Sequence, residues 1–93
     1  MKEFLKASRD VLLAELSDGT GVLLHLGTKF YFTLNATGVV VWKTLEDTNG
    51  GVTAAHLAEE LSRRFRIDAE QAKRDLDPLL AEMRTEGLVA SVG

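Results

Sequence analysis

The sequence predicts an α+β domain of winged-helix-like type: a three-stranded antiparallel β-meander followed by three helices (βββααα). Three observations predict it. Between Val11 and Leu34, short β-rich runs alternate with turn residues. At Asn35 the apolar period switches from that of a strand to that of a helix. Two later helical stretches open on capping residues, Thr53 and Asp68.

Val11 to Leu16 (VLLAEL) is the first expected strand. The Asp18-Gly19 pair that follows is a hairpin signal. Val22 to Leu26 (VLLHL) is the second strand, and Gly27-Thr28-Lys29 turns the chain again. Phe30 to Leu34 (FYFTL) is the third. Asn35 then caps a first helix from Ala36 to about Glu46, carrying Val39, Val40, Val41, Trp42 and Leu45. β-branched valines are weak helix formers, so this helix must draw its stability from burial. Thr48-Asn49-Gly50-Gly51 ends it. Thr53 caps the second helix, Ala54 to about Arg66, with Ala54, Leu57, Ala58, Leu61 and Phe65 on one face. Asp68 caps the third, with Gln71 as its capping-box partner. That helix carries Ala72, Leu76, Leu79, Leu80 and Met83, and Gly87 closes it. Pro78 falls inside it, removing a backbone donor and crowding the carbonyl of Arg74. Either the helix kinks there or Asp77-Pro78 starts a new one; the unbroken phase of the apolar stripe favours the kink. Leu88 to Val92 reads as a last short strand.

The 93 residues make one domain, 1–93 with a core at about 8–90. A chain of this length has little volume for a deep internal cavity. It is 45% apolar and 27% charged, ordinary globular material. The net charge of −3 argues against nucleic acid, because phosphate binding wants a basic face. Without cysteine there is neither a disulfide framework nor a thiolate zinc site. Nothing at the N-terminus reads as a signal peptide, since Phe4 and Leu5 stand isolated among charges. No apolar run approaches the ~20 residues of a membrane span. The cytoplasm is the expected location.

Enzyme chemistry is not expected. His25 and His56 are the two imidazoles, and neither has an acid at a catalytic spacing. Flanked by Leu24 and Leu26, His25 is assigned to the solvent face of its strand. Gly19-Thr20-Gly21 lacks the third glycine of a dinucleotide loop, and no lysine follows as in a phosphate-binding loop. The paired carboxylates, such as Glu59-Glu60 and Asp75 with Asp77, read as solvated helix faces. The one basic cluster, Arg63-Arg64-Phe65-Arg66, suits a helix C-terminus, where cations meet the negative end of the dipole. No cofactor or metal site is expected.

The stretch FYFTLNATGVVVW resembles the aromatic-x-Leu-Asn-x-(Thr/Ser)-(Gly/Ala)-x-x-(Val/Ile)-Trp pattern of the PqqD-like proteins, through Tyr31 or Phe32, Leu34, Asn35, Thr37, Gly38, Val41 and Trp42. These are the peptide chaperones of pyrroloquinoline quinone biosynthesis and the founding members of the RiPP recognition elements. The likeness continues through Val52-Thr53 with Leu57 and Leu61, and through IDAEQAKRDLDPLLAEMRTEGLV. Pro78 departs from the pattern, where the family usually has an ordinary helix former. The resemblance implies a domain that binds the leader of a ribosomally made precursor peptide and presents it to a modifying enzyme. Candidates for that enzyme are a radical enzyme, a leader peptidase or a cyclase. A chain of this kind fits either the quinone pathway or a lasso-peptide pathway.

The third strand carries no proline or bulge glycine, and its only charge is Lys29 at the start. If it lies at a sheet edge, its open backbone groups suit β-strand addition by a peptide. The resemblance implies that the leader adds there and packs against the third helix. Carried onto this sequence, the candidate peptide-binding residues are Lys29, Phe30, Tyr31, Phe32 and Thr33 on the strand side. On the helix side they are Arg74, Asp75, Leu76, Leu79, Glu82 and Met83. Each has a plainer reading: Leu76, with Leu34, Val41, Trp42 and Leu80, reads rather as core, while Phe30, Tyr31, Leu79 and Met83 divide evenly. An open strand also permits edge-paired or domain-swapped dimers. The competing function is a winged-helix DNA-binding regulator, with Gln71, Lys73 and Arg74 facing a groove. Against it, Asp68, Glu70, Asp75 and Asp77 surround those bases and would repel phosphates.

Overall fold

The computed structural model describes residues 3–48 and 50–92. Asn49, part of the turn expected after the first helix, lies outside them. In chain order the elements are β1 (Phe4–Ala7), β2 (Val11–Glu15), β3 (Gly21–His25), β4 (Tyr31–Leu34), α1 (Ala36–Asp47), β5 (Val52–Thr53), α2 (Ala54–Phe65), α3 (Ala69–Thr85) and β6 (Val89–Val92). They form two antiparallel sheets, ordered β2-β3-β4 and β5-β1-β6. The α+β class, the meander and the three helices are as expected. The second sheet is an addition, because β1 and β5 were not foreseen.

The meander is held by short turns. After β2, Asp18 accepts from both the hydroxyl and the amide of Thr20. Those two hydrogen bonds, the hydroxyl's first, hold the Asp18 carboxyl below its ordinary range. Pairing aligns Leu12 with Leu24 and Leu24 with Tyr31. Leu23 is fully buried, so the odd-numbered side chains of β3 face the helices. His25 shares that parity and is half-buried, which corrects its assignment to the solvent face. Both faces of VLLHL are apolar around the histidine, so alternation alone could not orient the strand.

Each helix starts on its expected cap. The side chain of Asn35 accepts from Gly38 N at 2.9 Å, that of Thr53 from His56 N at 3.1 Å, and that of Asp68 from Gln71 N at 2.8 Å. The capping box at Asp68 is only half made, because the Gln71 side chain turns forward and donates to Asp75 at 2.8 Å. Pro78 does not start a new helix: α3 runs unbroken from Ala69 to Thr85. It closes on a Schellman motif around Gly87, whose φ is +73°. There Leu88 N donates to Met83 O at 2.8 Å and Gly87 N to Arg84 O at 3.1 Å.

One core joins the layers. Val39, Val41, Trp42 and Leu45 of α1 are buried with Leu57 and Leu61 of α2 and Leu76, Leu80 and Met83 of α3. The valine-rich helix is thus stabilised by burial, as its composition required. β1 contributes Leu5, which is fully buried, between exposed Phe4 and half-buried Lys6. The C-terminal strand pairs with β1, Phe4 opposite Val92 and Ala7 opposite Val89, and so leaves β4 alone. Glu3 ties this sheet to α3 by accepting from Ser91 and Arg84, which lowers its carboxyl pKa, Ser91 contributing most. Arg63 and Arg64 of the basic cluster pair with Glu60 on their own helix.

Candidate functional site

β4 is the outer strand of its sheet and bonds to β3 alone. The phase of that ladder decides which backbone groups are free. His25 N donates to Phe30 O at 2.9 Å, so His25 and Phe30 are a hydrogen-bonding pair. In an antiparallel ladder such pairs alternate with non-bonded ones. Leu23 with Phe32 and Gly21 with Leu34 are therefore bonded pairs, whereas Leu24 with Tyr31 and Val22 with Thr33 are not. The N–H and C=O groups of Tyr31 and Thr33 point away from the sheet. Among the described residues, no strand of this chain pairs with them.

The turn that delivers β4 is organised on His25. Its Nδ1 accepts from Gly27 N at 3.2 Å and Thr28 N at 3.3 Å, and its carbonyl accepts from Lys29 N at 2.7 Å. Lys29 takes a left-handed conformation, φ +63°, to complete the turn. The strand then alternates. Tyr31 is 67% exposed and Thr33 is exposed on the outer face. Phe32 packs half-buried against the core, and Leu34 is buried. Phe30 lies just before the regular strand and stays 40% exposed.

Beyond Leu34 the chain enters α1 with little clearance. A Cβ on Gly38 would stand 2.8 Å from Leu34 Cδ2, so the glycine lets strand and helix meet closely. This junction faces α3 across an open cleft of about 360 Å³, lined by Asn35, Thr37, Arg74, Asp75, Pro78 and Leu79. Three of the helix-side residues expected at the site, Arg74, Asp75 and Leu79, thus meet in one place. Glu82 is exposed one turn beyond Leu79, on the same stripe of α3. Leu76 and Met83 are elsewhere: they are 1% and 0% exposed, turned into the core. The cleft adds Asn35, Thr37 and Pro78, which sequence reasoning had treated as a cap, a motif position and a breaker. The signal for Pro78 was its spacing of three and four residues from Asp75 and Arg74. Lys29 and Arg74 form no ion pair among the described residues, so each presents its charge to solvent. Among the described residues no group of His, Asp and Glu side chains is arranged to hold a metal.

The family model for coenzyme PQQ synthesis protein D (PqqD) matches residues 20–89. No curated protein sequence matches the chain. Among solved structures, TbiB1 in complex with the TbiA(beta) leader peptide is similar at a TM-score of 0.75 and 31% identity, over 90% of this chain and 93% of that one. A lasso peptide synthetase B1 complexed with the leader peptide shares the fold at a TM-score of 0.72 and 23% identity, over 92% and 96% of the two chains.

Proposed function

This chain belongs to the PqqD family, and from that premise we propose that it is a leader-peptide-binding chaperone, capturing a precursor peptide by strand addition to β4. The observation that carries the proposal is the free ladder of Tyr31 and Thr33 on a strand that runs on into Asn35, a lining residue of the cleft facing α3. A guest strand there makes main-chain hydrogen bonds to those two residues, which are blind to sequence. Its alternate side chains supply the selectivity. Those directed inward meet Phe32 and Leu79, while those at the rim meet Lys29, Arg74, Asp75 and Glu82. Leu76 and Met83 support this wall from beneath. That TbiB1 was solved with a leader peptide supports the reading.

The role is binding rather than chemistry, and the reaction belongs to a partner enzyme: a radical enzyme, a leader peptidase or a cyclase. The proposed setting is the cytoplasm. No helix among the described residues is long and apolar enough to cross a membrane. Nothing in the fold favours DNA, since Asp68, Glu70, Asp75 and Asp77 are all exposed around Lys73 and Arg74.

Ordering a flexible leader costs about 2–5 kcal/mol of the gross interaction. A short strand with two or three side chains buried leaves a net of about 8 kcal/mol, near micromolar affinity. The test is an anisotropy titration with the labelled leader of a cognate precursor peptide. Saturation with a Kd near ~1 μM or tighter is expected. Thr33→Pro, which removes an outward N–H and spares the bonds to β3, should weaken capture at least ~tenfold while the cooperative melt is kept. No saturation by ~100 μM contradicts the proposal.

A further inference from the structure

The reversal that carries the chain from β3 into β4 runs from Leu26 to Phe30, and every residue in it is exposed, so packing does little to fix it. It nevertheless sets Lys29 in the left-handed region, φ +63°, which a long side chain rarely adopts. One residue supplies most of its bonds. His25 donates its N–H to Phe30 O at 2.9 Å, and its carbonyl accepts from Lys29 N at 2.7 Å. Its ring Nδ1 accepts from Gly27 N at 3.2 Å and from Thr28 N at 3.3 Å. The Thr28 hydroxyl in turn accepts from Phe30 N at 3.3 Å.

We propose that His25 is a positioning residue for peptide capture: its neutral ring, protonated on Nε2 alone, fixes the turn that presents Lys29, Phe30 and the outward amides of β4 to the guest strand. Nδ1 serves two amide donors, so it carries no proton of its own. Protonating the ring makes that acceptor a third donor, and both bonds are lost. The turn then loosens at the point where the receiving edge begins. This inference rests on reading β4 as that edge.

The charges around the ring leave this role to the two amides. β3 packs against β2, β4 and α1. β4 carries no charge. Glu15 of β2 and Lys43 of α1 pair with each other at the far end of β3, where Glu15 stands opposite Gly21. At the near end, Val11 stands opposite His25 and shares a cavity wall with Arg9 and Glu46. Asp10 precedes Val11, Asp47 ends α1, and Lys29 lies in the turn itself. Among the described residues none of these forms an ion pair with His25.

His25→Asn separates the acceptor from the proton. An asparagine Oδ1 sits at the same place along the side chain as Nδ1 and accepts from an amide two residues on, yet it does not titrate. Affinity for the labelled cognate leader is read by anisotropy from about pH 8 to 5, the span in which imidazoles titrate. The parent should bind about tenfold more weakly at the acid end. His25→Asn should match the parent at the alkaline end and bind alike throughout, since titration of the leader itself cancels in the comparison. His25→Ala should be weaker by about tenfold at the alkaline end, with the ring's pH dependence gone. In the free chain, the amide NMR signals of Gly27, Thr28 and Tyr31 should move together with the ring on acidification, and hold still in His25→Asn. A His25→Asn chain that keeps the parent's pH profile, or binds as weakly as His25→Ala, overturns the proposal. So do Gly27 and Thr28 signals that stay fixed while the ring titrates. A parent that binds no leader at any pH overturns the capture reading instead, and the amide titration of the free chain still decides whether the ring holds the turn.

Discussion

Asn35 is where strand, helix and cleft meet. Its side chain closes the first turn of α1 on Gly38 N, and the residue itself lines the cleft facing Arg74 and Asp75. Losing an N-cap of this kind costs about 1 kcal/mol. In a domain of this size that lowers the melting temperature by roughly 4–8 °C. Asn35→Ala is expected to show this loss, measured by thermal unfolding, while Asn35→Asp keeps the acceptor and melts near the parent. An unchanged melt for Asn35→Ala would show that the cap adds nothing. Such residues were legible because capping is local chemistry: Asn35, Thr53 and Asp68 announce their helices within four positions. His25 was not legible in the same way. Its acceptor role depends on the turn at Gly27 and Thr28 folding back onto the ring.

Among the elements, α3 borders the cleft and β4 offers an open sheet edge. The phase of α3 separates its two roles cleanly. Ala72, Leu76, Leu80 and Met83 form the buried stripe, while Asp75, Leu79 and Glu82 run along the cleft side. The spacing of that buried stripe was visible in the sequence, and it favours core for Leu76 over groove. Pro78 interrupts the hydrogen bonding of a helix that nevertheless continues through it. Restoring the donor with Pro78→Ala should stabilise the domain by up to about 3 kcal/mol, read by urea unfolding. A loss of stability would mean that the surroundings are built around the proline ring. Since Pro78 also lines the cleft, the same variant is expected to shift leader affinity.

At the scale of the whole molecule, contact distance along the chain separates what could be read from what could not. The meander and helices are joined by short turns, and each carries its own signal of period and punctuation. β1 has one inward residue, Leu5, set among charges, and its partners lie at Val52-Thr53 and Val89–Val92. No local pattern announces a strand that exists because distant segments pair with it. In this second sheet β1 pairs with β6, and among the described residues no strand pairs with the outer edge of β4. The central claim is that a leader strand joins the sheet at the outward amides of Tyr31 and Thr33. Residue-resolved amide hydrogen exchange, with and without saturating leader, tests it most directly. Both amides should exchange fast in the dilute free chain and become strongly protected in the complex, with little change along β6. Fast exchange at Tyr31 and Thr33 in a saturated complex, with new protection on another edge, would contradict the account.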